Sequence, residues 1–144
     1  MFEIFLGHLV GDYLLQNEEM AINKSKYNLI GWIYCLIHCI LYTIAVCTIM
    51  WNFNPYWVTA VFLSHFLIDK FGIAEWYLAN IKGRSLKKYV DPYGNLDEII
   101  YIPKPKVEIN RYDALQGGFT AVVYTLTDNT MHLLLMWFAY QIIF

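Results

Sequence analysis

Residues 29–51, LIGWIYCLIHCILYTIAVCTIMW, contain no Asp, Glu, Lys or Arg. About 20 mostly apolar residues carry a helix across the hydrocarbon core of a bilayer, and this run supplies them. The rest of the chain agrees with that reading. Only 15% of its 144 residues are charged, against roughly a quarter in a soluble domain. Mean hydropathy is +0.40 and formal charge is −2. That charge argues against nucleic acid as the main partner, because too little positive charge is present to neutralise many phosphates.

Three further stretches complete the expected architecture, a single domain over residues 1–144. Residues 55–82 form a second candidate span after the turn NFNP, with Pro55 suited to a first helical turn. A third runs from about 113 to 143, with Asp113 as its cap. The opening segment, 2–16, is short and marked by polar residues, and either crosses at a tilt or re-enters. The expectation is an all-α integral membrane four-helix bundle. Its one sizeable polar loop, 83–112, holds turn signals and an alternation that permits a small β-ribbon. The start, MFEIFLGHLV, has no basic region of the kind a cleavable leader carries. Cys35, Cys39 and Cys47 are odd in number and lie in one apolar run, as free thiols packed among helices would.

Nine of the ten basic residues fall in or beside the segments 17–28 and 83–112. Excess Lys and Arg mark the cytoplasmic side, so loop 83–112 is expected inside and both termini outside the cell (inner) membrane. Lys70 stands apart from that pattern, and snorkelling accounts for it.

All four histidines lie in the expected helices, and three have an aspartate four residues away: His8 with Asp12, His65 with Asp69, and Asp128 with His132. Four-residue spacing places each pair on one helical face. His38 has no carboxylate of its own. Counting from the helix ends brings all seven to similar depth, near the bundle midplane. Ionisable groups at such depth cost several kcal/mol unless paired, and they mark functional sites by default. Imidazole nitrogen and carboxylate oxygen also suit divalent ions, so His8, Asp12, His38, His65, Asp69, Asp128 and His132 are candidate ligands for zinc, manganese, nickel or iron. Interhelical hydrogen bonding without metal is the plainer reading. Gln16 and Asn129 are candidate outer partners that orient a ligand.

The ordered motifs HLVGDYLLQ, NKSK, the lone helical His of CLIHCILY, SHFLID and DNTMH resemble a family of small bacterial and phage membrane proteins defined as a domain of unknown function. The resemblance covers most of the chain outside 83–112. It departs from the family pattern at Asn129, where a glutamine is expected. The polar centre is more distantly similar to membrane-bound metal-dependent hydrolases.

Three functions compete. A metal-dependent hydrolase would act on a lipid or lipid-linked phosphoester, with Asp12, Asp69 or Asp128 as general base and the others as ligands. A non-catalytic structural or partner-binding protein would use the same groups to hold its helices. A metal or proton transporter would need a polar path to both faces, which the outer halves of the helices lack. Haem is a poor fit, since carboxylates stand one turn from three histidines. Membrane lipid is the expected partner, and the short first helix leaves room for association between copies of the chain.

Overall fold

The structure, a computed structural model, describes residues 2–84 and 111–144, with side chains from Leu115 onward in the second stretch. Every regular element among the described residues is helical. In chain order they are α1 (Phe2–Leu9), a π-helical turn (Val10–Leu14), α2 (Glu18–Asn23), α3 (Leu29–Ile49), α4 (Pro55–Phe71), α5 (Ile73–Asn80) and α6 (Arg111–Ile143). The suggested β-ribbon falls outside the described residues. The chain divides into two compact units, Met1–Ile73 with Asp128–Phe144, and Ala74–Thr127.

In the first unit α3 is the central helix, packed against α1, α2 and α4. Gly7 and Gly11, spaced as small residues on a close helix contact are, bring α1 and the π turn onto α3. A Cβ on Gly7 would stand 2.9 Å from the Val46 Cα, and one on Gly11 would overlap the Tyr42 ring. The core of this unit joins Ile4, Tyr42, Val46, Trp57, Val61 and Met136. Asn17, Asn28 and Asn54 each cap a helix by accepting from a backbone N–H, to Met20, Gly31 and Tyr56 respectively.

Four sequence expectations change. The first helix is not uniform over 2–16, because α1 passes into a π turn that ends at Leu14. Residues 17–28 are not all loop: Asn17 caps α2, and Glu18 and Glu19 complement its positive N-terminal end. The stretch 55–82 is two helices, because Gly72 adopts the left-handed conformation (φ 55°) that ends α4. Asp113 lies inside α6 and is not its cap, since the helix already runs from Arg111.

Among the described residues one helix, α3, is long and apolar enough to cross a membrane, and α4 with α5 qualifies only as a broken pair. Helix α6 has the length but not the hydropathy. Beside its apolar core, the first unit buries several polar groups and leaves aliphatic side chains exposed. His8, His38, His65, Asp69, Lys70 and His132 are buried, while Ile33, Ile40, Ile44, Leu63, Leu67 and Leu135 are exposed. In the second unit Ala74, Leu78 and Thr120 are buried, and the Arg84 guanidinium lies over the Phe119 ring at 4.8 Å.

Candidate metal centre

The buried polar groups of the first unit converge on one point. His38 of α3 and His65 of α4 face each other with their Nε2 atoms 2.9 Å apart. The Asp12 Oδ1 atom, carried by the π turn, stands 3.3 Å from both. Asp69, one turn after His65 on α4, places Oδ2 at 3.1 Å from His38 and 3.2 Å from His65. Its other oxygen lies 3.4 Å from His132 Nε2. Asp128 is further out, 3.8 Å from His132, with 19% of its side chain exposed. Two groups, Asp12–His38–His65 and His65–Asp69–His132, can each hold a metal ion and share His65. Asp69 lies in the last turn of α4, so the centre sits toward that helix end and not halfway along it.

Three observations fit a divalent cation. First, Asp12 Oδ1 and His132 Nε2 are buried without a hydrogen-bond partner, although each points at the cluster. Second, the spacing suits coordination. Two nitrogens 2.9 Å apart, each about 2.05 Å from one ion, subtend about 90°, and oxygens at 3.1–3.3 Å from those nitrogens give about 100°. Third, the charges leave a gap. Three carboxylates face one lysine ammonium, so with neutral imidazoles the centre lacks two positive charges. A buried imbalance of that size is expensive, and a divalent ion removes it.

His8 stands beside this cluster with both ring nitrogens already partnered. Its Nε2–H donates to Asn129 Oδ1 at 2.6 Å, and Nδ1 faces the Tyr42 hydroxyl at 2.8 Å and Asp12 Oδ2 at 3.5 Å. The tautomer follows from Asn129, whose amide nitrogen donates to the Tyr13 hydroxyl at 2.7 Å and so turns its oxygen to His8. Tyr42 fixes the second ring as well, stacking on His65 with centroids 3.5 Å apart. His132 stacks on the same imidazole at 4.1 Å. The imidazole of His65 therefore has almost no freedom to turn. Gln16, oriented to satisfy both neighbours, donates to the Asp12 carbonyl at 3.1 Å and accepts from Lys24 Nζ at 3.2 Å. Cys35 and Cys39 are buried free thiols with sulfurs 4.0 Å apart.

Two lysines belong to this region that sequence reasoning placed elsewhere. Lys24 of the NKSK stretch donates to Asp69 Oδ2 at 2.7 Å, and only 14% of its side chain is exposed. Burial disfavours its charge, but the Asp69 and Asp12 carboxylates outweigh that and hold the ammonium above the ordinary lysine range. Lys70 does not snorkel. It is fully buried, donates to the Lys26 carbonyl at 2.6 Å and the Lys24 carbonyl at 3.4 Å, and lies over the Trp32 ring at 4.2 Å. The turn of residues 24–26 rests directly on the start of α3, where a Cβ on Gly31 would collide with the Lys26 carbonyl. The signal for Lys70 was its position: next to Asp69, on a helix that enters the polar centre.

No curated protein and no solved structure matches the sequence. One family does, over residues 1–144, and the chain belongs to it: the family described as Protein of unknown function (DUF3307).

Proposed function

We propose that this chain is a membrane-embedded metal-site protein that hydrolyses a lipid or lipid-linked phosphoester. The observation that carries the reading is the convergence of Asp12, His38, His65, Asp69 and His132 beside the Lys24 ammonium. Imidazoles and carboxylates at these separations suit a divalent ion, and a cation next to it suits an anionic substrate. When bound, the ion supplies Lewis acidity toward a phosphoryl oxygen and lowers the pKa of water. His38, His65, Asp12 and Asp69 hold it. Asp128, the most exposed of the three carboxylates, would accept a proton from the attacking water.

Membrane embedding is supported by the long apolar helix α3 and by exposed aliphatic side chains around buried His, Asp and Lys groups. The proposed topology keeps α1 with its π turn, α3, the α4–α5 pair and α6 in the bilayer. Residues 17–28 and 83–112 then face the cytoplasm and both termini lie outside. An apolar groove of about 350 Å³ between α3 and α4, lined by Ile40, Ile44, Val58, Phe62 and Leu63 among others, suits an acyl chain. None of its lining residues belongs to the centre.

A non-catalytic polar core is the second reading. It is favoured by Nδ1 of His38 and of His65, which have no hydrogen-bond partner, whereas metal-bearing imidazoles ordinarily donate their other N–H. The two readings part on activity. Detergent-purified chain supplied with manganese or zinc should release phosphate or the esterified alcohol from micellar lipid phosphoesters, and Asp128→Asn should abolish turnover while retaining metal. Metal-loaded protein inactive on both lipid phosphomonoesters and phosphodiesters would support the structural reading.

A further inference from the structure

We infer that Lys24 is the anion-recognising residue of this centre, an ammonium that the buried Lys70 fixes in place to bind a phosphoryl oxygen. The inference rests on the metal-centre reading above and names the residue that reads the substrate's charge.

A lysine that only marks topology needs no particular backbone around it. Lys24 has one built from several independent contacts. Asn17 starts α2 and the Lys24 N–H closes it on the Met20 carbonyl at 2.9 Å. The Lys26 N–H then turns the chain back onto the Asn23 carbonyl at 2.9 Å, and Asn28 caps α3 directly after. Gly31 permits the close approach of that turn to α3. Lys70 draws both the Lys24 and Lys26 carbonyls inward while its own ammonium is clamped over Trp32. Burying a second lysine completely to hold two carbonyls is costly, and its effect is to aim the first lysine at Asp69.

The ammonium has three N–H donors. Among the described residues Asp69 Oδ2 and the Gln16 side-chain oxygen take two of them. The third is left for a ligand on the partly exposed side of the residue. Asp69 Oδ2 is also the oxygen nearest to His38 and His65, so one carboxylate links the lysine and the candidate ligands. A tetrahedral oxyanion fits that pairing, with one oxygen toward the metal and another on Lys24. The chemistry is shared by a lipid headgroup phosphate and by free phosphate.

The test uses the full chain in detergent, loaded with Mn²⁺, with metal content measured on every sample. Inorganic phosphate and dihexanoyl phosphatidic acid are titrated separately, and manganese-induced broadening of the ³¹P resonance reports binding. Lys24→Gln and Lys24→Met should hold manganese at least as tightly as the wild type, since Asp69 loses a competing cation. Both should bind either probe at least ~10-fold more weakly, the scale of one charge-assisted hydrogen bond. Lys24→Arg should stay within a few-fold of wild type. Lys70→Met, which removes no probe contact, should weaken the probes while leaving metal stoichiometry unchanged. Tighter binding of phosphatidate than of phosphate would identify a lipid source, and equal binding a soluble one; either supports the assignment. Metal-loaded wild type that binds neither probe, or charge-removing variants that bind as wild type does, would overturn it while leaving the metal centre intact. Wild type that binds no manganese would overturn both.

Discussion

Replacing Gly11 with alanine drives a methyl group into the ring of Tyr42. That ring has nowhere to go. It is fully buried, stacked on His65, and its hydroxyl is held by His8 at 2.8 Å and Met136 at 3.3 Å. The first helix must therefore lift from α3, at an overpacking cost of about 1–3 kcal/mol. Alanine's better helix propensity returns at most about 1 kcal/mol, so a net loss of about 1–2 kcal/mol is expected. Lifting that helix also moves Asp12, which the π turn holds 3.3 Å from two imidazoles, so metal affinity should fall together with stability. Gly118→Ala is the matched control, because a Cβ there meets nothing within 4 Å and α6 should gain about 0.5–1 kcal/mol. Thermal unfolding in detergent and a competitive metal titration read both effects. Gly11→Ala protein as stable as Gly118→Ala, with wild-type metal affinity, would refute the claim that close packing of the first helix positions Asp12.

Two further outcomes are expected. Tyr42→Phe removes the hydroxyl facing His8 Nδ1 and should cost about 1–3 kcal/mol of stability by denaturant titration, with metal stoichiometry unchanged. The Lys24 ammonium, held above the ordinary lysine range by Asp69 and Asp12, contributes stability that is complete below that range and lost only as pH climbs through the raised value. The stability difference between wild type and Lys24→Gln should therefore be flat from about pH 6 to 9, which unfolding curves across that interval check directly.

Much of the centre was legible from spacing, because a four-residue interval fixes a helical face whatever surrounds it. His65 and Asp69 share a face and meet the same partners. The pair His8 and Asp12 was legible only in part. The π turn between them shifts the register, so Asp12 reaches His38 and His65 while His8 turns to Tyr42 and Asn129. The lysines were not legible as site residues. Flanking an apolar span, Lys24 reads as a topology signal, and its inward course depends on a turn braced by a residue 46 positions away. Helix α2 did carry a visible sign, an asparagine cap followed by two glutamates, and Gly72 carried another as a stop signal inside a long apolar stretch. Helix α6 has the length of a span, but Asp128, Asn129 and His132 lower its average hydropathy.

The central claim is that this cluster holds a metal ion, and elemental analysis of detergent-purified protein beside a His38→Ala, His65→Ala double variant tests it most directly. The protein is reconstituted with zinc, manganese, nickel or iron in turn, then freed of loosely bound ion. Stoichiometric metal in the wild type that disappears in the variant is the predicted result, and occupancy should fall as acid pH protonates the ligands. Wild-type protein that retains none of the four ions would contradict the account, and the converging imidazoles and carboxylates would then be a polar core that holds helices together without metal.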